Sequence, residues 1–392
     1  MKIALAMERF GRHAGGAESY AVELAGTLIS EGWEVYLYGY EWDGEPQGAI
    51  FHPIPRLSRW IPPSIRILHF AFSHRRMIAG EHFDVVLGFG NTLTMNVYQS
   101  HGGVHYLSNL RKLQAVRNPL LRSAKAMALL VTPKYHARAW IESAAFRMRQ
   151  HPVIIAISDM VRQDMADYFR VDKQSIRLVY NGIDHSRFVT PGKGSRDEVR
   201  RKLGFGNREV LFLFMAYDFR KKGVRYLVEA AARLREKVEP GSFGVAVVGN
   251  HPSPPLSTLV RKLKLDGVVV FPGPTRQPEA FYAACDAFIL PTFYDACSLV
   301  VFEAMAAGLP VISTVFNGAS GVITEGIDGA VLKDPRDINE MAGTMERFLD
   351  RKLLESASSA ARETASRYTL EDNHRKMLEI LNAVQRRESE RR

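Results

Sequence analysis

Apolar residues along the chain fall into two kinds of run. Short runs rich in Val and Ile predict buried strands, and runs in which apolar residues recur every three or four positions predict helices. Strands are expected at 3–7, 34–40, 84–89, 153–157, 210–215, 244–248, 268–271, 287–290 and 311–313. Helices are expected at 19–30, from Ser158 onwards, and at 223–239, 256–264, 278–284, 298–307 and 370–385. This alternation is typical of an α/β protein whose parallel sheets are covered by helices on both faces.

The length of the chain predicts two domains. At 392 residues it exceeds the size at which a single hydrophobic core usually stops growing. The segment 190–195, Thr-Pro-Gly-Lys-Gly-Ser, has the composition of a linker, and the boundary is expected between Val171 and Ser195. We assign 1–175 to a first Rossmann-like domain and 176–368 to a second, and expect the helix within 369–392 to pack back on the first.

Composition excludes several classes of protein. Hydrophobic residues make up 46% and charged residues 24%, which is ordinary for a globular chain. No apolar run approaches the roughly 20 residues that span a bilayer. The apolar start, 1–7, ends at Glu8 and Arg9, which is too short for a secretory signal and predicts a strand. The two cysteines, Cys285 and Cys297, have neither a disulfide framework nor metal-ligand spacing, so a reducing cytoplasm is expected.

Positive charge is concentrated in the segment 101–150. It holds one acid, Glu142, and contributes a net +8 of the chain's +10. The nine cations are Arg111, Lys112, Arg117, Arg122, Lys125, Lys134, Arg138, Arg147 and Arg149. Such a concentration indicates an anionic partner, either a phosphate-bearing lipid or a nucleic acid.

The cations of this segment are interleaved with apolar residues. We expect one or two helices between 106 and 150, because Pro119 and Pro133 interrupt the run. The apolar positions are Leu107, Leu110, Leu113, Leu120, Leu121, Met127, Leu129, Leu130, Trp140 and Phe146. This pairing suits a helix lying in the headgroup region of an anionic membrane. The alternative is a core helix on the acceptor side whose Lys and Arg stems cover the domain while their charges stay solvated.

Two carboxylates flank the start of an apolar helix late in the chain. Asp295 lies in the loop after a predicted strand, and Ser298 is a suitable N-cap for the helix that follows. The first amides of that helix, at Leu299 and Val300, could bind a diphosphate, and Glu303 one turn later could bind a ribose diol. Asp295 and Glu303 are expected roughly 10 Å apart, about the span from a hexose to its nucleotide ribose. The alternative is a capping Asp and a Glu at the end of a core helix.

Three other positions combine residue types suited to the same chemistry. Gly15 and Gly16 follow the first strand, where they could admit a phosphate or merely shape a turn. Arg220 and Lys222 stand at a predicted helix start, where the helix dipole disfavours cations. A bound anion between the two side chains therefore accounts for their position better than a solvated helix start does. His101 follows a predicted strand and precedes a glycine pair, where parallel sheets place ligands, although a loop histidine is more often solvated.

The acid pair with its seven intervening residues resembles the E-x7-E motif of the retaining GT-B glycosyltransferases of glycosyltransferase family four. Gly15–Gly16–Ala17–Glu18 resembles the family's glycine loop, 181–184 its inter-domain Asn-Gly-x-Asp segment, and 219–223 its basic diphosphate clamp. Within the family the chain is most similar to the lipopolysaccharide core glucosyltransferases of Gram-negative bacteria, which share the long basic insert after the Gln-Ser-His-Gly-Gly stretch.

The resemblance implies a fold, a reaction and roles for residues. The fold is two Rossmann-like doubly wound domains facing a central cleft, and catalysis falls to His101, Asp295 and Glu303. The donor would be bound by Gly15, Gly16, Arg220, Lys222, Ser298, Leu299 and Glu303, and the acceptor side would be formed by Glu18 and His101. Three positions depart from the family pattern: Asp295 replaces Glu, Ser298 replaces Gly, and Tyr217 replaces the usual Arg, for which Arg220 is the candidate substitute.

The resemblance also implies a biological setting. A hexose would move from a nucleotide-diphosphate sugar, such as a UDP-sugar, to a saccharide or lipid-linked acceptor in lipopolysaccharide or cell-envelope glycan synthesis. We expect retention of anomeric configuration, no metal or other cofactor, and a cytoplasmic enzyme that is peripheral on the inner face of an anionic plasma membrane, with no nucleic-acid partner. Two alternatives stay open: a two-Rossmann nucleotide-sugar epimerase or phosphorylase, and a non-enzymatic basic protein that binds a membrane surface or a nucleic acid.

Overall fold

A computed structural model describes residues 1–11, 15–148, 151–189, 195–206 and 209–390. The chain forms two compact units, one of Met1–Tyr180 with Glu371–Arg392, the other of Asn181–Leu370. The division lies inside the interval 171–195 but a few residues after the assigned end at 175, because the strand at Arg177–Leu178 still pairs within the first sheet. Residues 190–194 of the predicted linker lie outside the described part of the chain, as does Arg149 of the basic segment.

The first unit is built on a parallel sheet in the order β5-β3-β1-β6-β7-β8-β9. A separate short parallel pair joins β2 to β4. The strands are β1 (Lys2–Ala6), β2 (Arg9–Phe10), β3 (Glu34–Gly39), β4 (Glu41–Trp42), β5 (Ile50–Pro53), β6 (Val85–Gly88), β7 (Val97–Ser100), β8 (Val153–Ala156) and β9 (Arg177–Leu178). The strands predicted at 3–7, 34–40, 84–89 and 153–157 are confirmed as β1, β3, β6 and β8, and the strand expected before His101 is β7.

Helices cover this sheet, and the last helix of the chain returns to it. They are α1 (Gly16–Ser30), α2 (Pro63–Ile78), α3 (His105–Leu113), α4 (Pro119–Val131), α5 (Pro133–Glu142), α6 (Ala144–Arg147), α7 (Asp159–Phe169) and α16 (Leu370–Glu390). Met377, Leu381 and Val384 of α16 are buried in the core formed with α1 and the first strands. None of the helices in the described residues is long and apolar enough to cross a membrane.

The expectation of one or two helices between 106 and 150 is wrong. The described part of that segment forms four helices, α3 to α6. Pro119 and Pro133 each occupy the first turn of a helix. Proline is favoured there, because its missing N–H would have no acceptor inside the helix. These prolines therefore start new helices rather than merely interrupting a longer one.

The second unit holds a six-stranded parallel sheet in the order β12-β11-β10-β13-β14-β15. Its strands are β10 (Val210–Ala216), β11 (Phe243–Gly249), β12 (Val269–Gly273), β13 (Ala287–Ile289), β14 (Val311–Thr314) and β15 (Gly329–Leu332). Its helices are α8 (Ser186–Val189), α9 (Ser195–Leu203), α10 (Val224–Arg235), α11 (Pro254–Lys262), α12 (Pro278–Ala284), α13 (Leu299–Ala306), α14 (Ile338–Arg347) and α15 (Arg351–Ala365). The five strands and the four helices predicted here are confirmed to within a few residues; β15, α8, α9, α14 and α15 were not predicted.

Candidate active site

The order of strands in the second sheet identifies where a ligand is expected. The chain runs from β10 outward to β11 and β12, then returns to place β13 on the other side of β10. In open parallel sheets, ligands bind outside the carboxyl ends of the strands at such a reversal. The turn after β10 carries Arg220 and Lys222, and the loop after β13 carries Asp295. The sequence candidates of this unit therefore flank its topological switch point.

A tight backbone contact joins the turn after β10 to the loop after β13. Gly223 has a φ of +79°, and a Cβ added there would lie 2.1 Å from the carbonyl oxygen of Pro291. The amide of Phe293 also donates to the carbonyl of Lys221, at 3.0 Å. A residue with a side chain at position 223 would be strained and would push the two segments apart. This contact fixes the neighbouring Lys222 beside the acid-bearing loop.

Lys222 and Asp295 form an ion pair in which both side chains are largely buried, at 20% and 24% exposure. The Ser298 hydroxyl donates to the same carboxylate, and the Cys297 amide donates to Asp295 Oδ1 at 3.2 Å. Burial alone would raise the pKa of Asp295, but the Lys222 charge and these hydrogen bonds hold the pKa below its usual range. Asp295 is therefore ionised at neutral pH. The direct pairing of Lys222 with Asp295 was not foreseen from the sequence.

Ser298 lies at the N-cap position of α13, but its side chain does not cap the helix. Its hydroxyl donates instead to Asp295, and its amide donates to Asn317 Oδ1 at 3.3 Å. The expected capping role is therefore wrong, because the ionised carboxylate is the stronger partner for the hydroxyl. Leu299 and Val300 begin the helix, and amides in the first turn have no acceptor inside it.

Glu303 lies one turn into α13 and is half-buried. Its Oε2 accepts a hydrogen bond of 2.7 Å from the hydroxyl of Tyr282, a fully buried residue of α12. Burial raises the pKa of Glu303, and the nearby positive charge of Arg187 only partly offsets this. One carboxylate oxygen is thus held by the protein, and within the described part of the chain Oε1 is the oxygen left for a ligand. Neither Tyr282 nor Arg187 was identified from the sequence.

The three basic residues after β10 have different environments. Lys222 contacts Asp295, Lys221 pairs with Asp218 at 2.6 Å, and Arg220 is exposed. Tyr217, which stands where the family usually has Arg, is 74% exposed, and its carbonyl accepts a hydrogen bond from Asn250. Of these three basic side chains, Lys222 is the one that pairs with the acid of the loop after β13 within the described residues.

In the first unit the sheet reverses between β1 and β6, and the candidates follow the strands near that reversal. His101 directly follows β7, and its ring centroid lies 4.6 Å from that of Tyr20 and 5.5 Å from that of Phe89. Burial lowers the pKa of His101 to about 4, so the imidazole is neutral at pH 7. Its Nε2 is buried and has no hydrogen-bond partner within the described residues.

The glycine loop leads into α1. Gly15 has an extended backbone, and Gly16 is the first residue of the helix. A Cβ at Gly15 would lie 2.5 Å from the Glu18 carboxylate, which places that carboxylate directly over the glycine. Glu18 occupies the first turn of α1, where negative charge is favoured by the helix dipole. Within the described residues, there is no cluster of three or more His, Cys, Asp or Glu placed to hold a metal ion.

Comparison with known proteins gives matches along nearly the whole chain. Residues 14–187 match the model of Glycosyltransferase Family 4, and residues 195–365 match that of Glycosyl transferases group 1. The lipopolysaccharide glucosyltransferase WaaG of Escherichia coli K12 is 24% identical over 88% of both chains. Mannosylfructose-phosphate synthase of Agrobacterium fabrum is 25% identical over 84% of this chain and 78% of its own length.

Solved structures agree with these matches at the level of fold. A crystal structure of WaaG superposes with a TM-score of 0.78 at 23% identity, covering 97% of this chain and 99% of that one. Anabaena HepE, solved in complex with UDP-glucose, gives a TM-score of 0.69 at 17% identity, covering 98% of this chain and all of that one. The two parallel sheets, the acid pair at the switch point and both family matches lead to one conclusion: this protein is a GT-B glycosyltransferase, with a family 4 amino-terminal part and a group 1 carboxy-terminal part.

Proposed function

We propose that the protein transfers a hexose, with retention of anomeric configuration and without a metal ion, from a nucleotide-diphosphate sugar to a saccharide or lipid-linked acceptor of the cell envelope. The observation that carries the proposal is the meeting of Lys222 with Asp295 at the switch point of the second sheet, beside the first turn of α13. The names of two relatives, a lipopolysaccharide glucosyltransferase and a structure holding UDP-glucose, support a UDP-sugar donor and an envelope acceptor.

The nucleotide would lie along the start of α13. Its ribose diol donates to Oε1 of Glu303, while Tyr282 keeps Oε2 engaged and holds the carboxylate in place. Its diphosphate accepts from the first-turn amides at Leu299 and Val300, where the helix dipole favours negative charge. An ionised Glu303 is costly when no ligand is bound, because its burial raises its pKa. Binding a diol supplies the donors that this carboxylate lacks.

Lys222 and Asp295 would part when the donor binds. The ammonium then contacts the diphosphate, and the freed Asp295 accepts from the hexose hydroxyls, with Ser298 remaining as its partner. In the transfer, the bond from the sugar C1 to the diphosphate oxygen breaks, and its electron pair stays on the diphosphate. The acceptor oxygen bonds to C1, and its proton passes to the departing diphosphate. Lys222 is the positive charge placed to stabilise that leaving group, and Arg220 lies on the same turn.

His101 would bind rather than titrate. Its pKa of about 4 keeps the ring neutral at pH 7, so it is a poor store for a proton. Its buried Nε2, which has no partner in the described part of the chain, suits a hydrogen bond with a sugar hydroxyl. We propose this role for His101, with Glu18 also on the acceptor side and with Gly15 and Gly16, under the Glu18 carboxylate, admitting the donor phosphate.

Membrane attachment is proposed for the face that carries α4. Leu120 and Val131 at the two ends of this helix are 80% and 70% exposed, and only Leu129 of the helix is buried. Exposed apolar side chains among cations suit a helix that lies in anionic headgroups. Arg111 does not belong to this face, because it forms a two-point ion pair with the buried Asp164. The protein would then be a cytoplasmic enzyme docked on the inner face of the plasma membrane.

The test is a screen of nucleotide sugars. Thermal shifts and release of nucleoside diphosphate are measured with UDP-, GDP-, ADP- and TDP-sugars, with and without envelope saccharides and with EDTA present. We expect one base to stabilise the protein, and acceptor-dependent release in EDTA with a product that keeps the donor's anomeric configuration. Interconversion of the nucleotide sugar without any acceptor would favour an epimerase instead.

A further inference from the structure

A cavity in the first unit is lined by charged and apolar side chains that have no role in the proposed transfer. It has a volume of about 240 Å³ and is lined by Arg56, Arg66, Arg138, Glu8 and Tyr40, among others. Glu8 follows β1 and Tyr40 follows β3, so the cavity opens at the carboxyl ends of these strands, the same edge of the sheet that carries His101. Arg66 comes from the start of α2, and Arg138 from α5.

The charges around this cavity are not balanced. Arg138 pairs with Glu8 at 3.3 Å, and Arg56 pairs with Glu41 at 2.5 Å. Arg66 has no ion-pair partner among the described residues, and its Nε is buried without a hydrogen-bond partner there. A buried guanidinium N–H that lacks an acceptor is costly. Arg66 also lies near the amino terminus of α2, where the helix dipole disfavours a cation and favours an anion.

We propose that this cavity binds a phosphate group carried by the acceptor saccharide. The assignment rests on the proposed function, since it describes that reaction's acceptor. Three guanidinium groups offer planar pairs of donors that match the oxygens of a phosphate. A water molecule occupies about 30 Å³, so the cavity has the volume of about eight waters. It therefore has room for the phosphate together with part of the sugar that bears it.

The sheet order sets how far this phosphate lies from the reacting hydroxyl. The strands from Tyr40 to His101 are β3, β1, β6 and β7, which are three strand spacings apart. At about 4.8 Å per spacing, Tyr40 lies on the order of 14 Å from His101 across the sheet, and Glu8, which follows β1, lies on the order of 10 Å away, so the cavity is about 10–14 Å from His101. The phosphate would therefore sit on a sugar unit next to the one that receives the hexose. A cavity at this distance selects the acceptor without taking part in the transfer.

The experiment measures inorganic phosphate binding by calorimetry, with the donor site filled by saturating nucleoside diphosphate. Arg66→Gln is compared with Arg76→Gln, an exposed position on the same helix with the same charge change. We expect Arg66→Gln to weaken phosphate binding by about tenfold or more. We expect the phosphate affinity of Arg76→Gln to stay within about twofold of wild type, because substitutions of exposed residues usually have effects of that size or smaller. The Tyr40 hydroxyl bonds the backbone carbonyl of Arg66, a contact that the Gln variant keeps.

Equal phosphate binding by both variants, or none by the wild type, would overturn the assignment. A parallel arm uses vesicles of phosphatidylcholine with phosphatidylglycerol. Unchanged co-sedimentation of Arg66→Gln supports a saccharide phosphate, whereas loss of vesicle binding in this variant alone would assign the cavity to a lipid headgroup and overturn the saccharide. Nucleoside diphosphate affinity is measured for the wild type and for every variant. If none of them binds the nucleotide, the proposed function is contradicted. If all of them bind it, the phosphate titration alone decides whether the cavity is assigned correctly.

Discussion

Replacing Glu303 by Gln removes the carboxylate charge that we propose binds the ribose, and it keeps the size and packing of the side chain. The Gln amide oxygen can still accept from the Tyr282 hydroxyl, which is fully buried and would otherwise lose its partner. Glu303→Ala would orphan that hydroxyl at a cost of about 1–3 kcal/mol in folding free energy. Gln is therefore the variant that separates ligand binding from stability, and Tyr282→Phe is its companion.

The size of the expected loss follows from the hydrogen bonds involved. Tyr282 occupies Oε2, so a ribose hydroxyl would meet chiefly Oε1. Hydrogen bonds to a charged group contribute about 1.5–3 kcal/mol, so nucleotide affinity is expected to fall about 10- to 150-fold. Tyr282→Phe keeps the carboxylate and loses only its support, so its effect on affinity is expected to be smaller.

Folding stability is expected to move in the opposite sense. Burial raises the pKa of Glu303 above 4.5, so the folded state favours the neutral acid. That stabilisation is full below the unfolded pKa and is lost as pH rises through the folded pKa. Above the folded pKa the wild type therefore holds an unfavourable buried charge that Gln lacks. We expect Glu303→Gln to be at least as stable as the wild type at pH 7, and to gain relative stability as pH rises from about 4.5.

The assays are calorimetric titration with the nucleoside diphosphate of the donor and denaturant unfolding at several pH values. Nucleotide affinity within about twofold of wild type, in a variant that is as stable as the wild type, would refute the ribose role of Glu303. A variant that loses affinity and stability together would show that the carboxylate supports the fold rather than the ligand.

Three further predictions concern the clamp, the membrane face and the core of the second unit. Arg220→Ala is expected to lower kcat more than donor affinity, with activity retained in EDTA, because the charge it meets grows during transfer; equal losses in kcat and binding, or strict dependence on Mg²⁺ or Mn²⁺, would contradict this. Replacing Lys112, Arg117, Arg122 and Lys125 by Gln is expected to weaken the binding free energy to anionic liposomes by about 1 kcal/mol per cation, with donor affinity unchanged. Co-sedimentation that changes neither with the substitutions nor with added salt would contradict the membrane proposal. Arg200→Ala is expected to cost about 3–5 kcal/mol in unfolding free energy, because its buried guanidinium pairs with Asp286 at 3.0 Å and also donates to the backbone carbonyls of Gly206, Glu209 and Ala284, which lose their donor; a loss below about 1 kcal/mol would show that these groups are satisfied without it, Asp286 by Arg196.

The periodicity of apolar residues was enough to predict most of both sheets. Strands such as β10 and β11 are nearly continuous runs of buried apolar residues, and a parallel sheet covered on both faces requires such runs. Helix α2 was missed because charged and histidine residues interrupt its apolar pattern, and only a few of its residues, such as Phe70 and Ala71, are fully buried. The pattern therefore identifies elements that are buried on both sides better than elements that lie at the surface.

The candidate site was predictable where its residues share one local segment. Asp295 and Glu303 lie on one strand-loop-helix unit, so a nucleotide site could be proposed from their spacing, beside the alternative of a capping Asp and a core Glu, and the family resemblance favoured the nucleotide site. The pairing of Lys222 with Asp295 joins residues 73 positions apart, and that of Tyr282 with Glu303 joins residues 21 apart. Both depend on how neighbouring strands are ordered in the sheet, which no local pattern encodes. The same holds for Gly223, whose need for glycine arises from Pro291.

Lys222 is the positive charge that we propose contacts the leaving diphosphate, and the mechanism depends on it. The most direct measurement compares the affinities of Lys222→Ala and wild type for the nucleoside, the nucleoside diphosphate and the nucleotide sugar selected by the donor screen. The control is Lys221→Ala, which removes the same charge from the neighbouring residue. The Lys221 side chain pairs with Asp218 instead of Asp295. We expect Lys222→Ala to weaken the nucleoside diphosphate about tenfold or more. The nucleotide sugar, which carries less charge, should be weakened less, and the nucleoside should bind as it does to the wild type. Equal weakening of all three ligands, or undiminished binding of the diphosphate, would contradict the account.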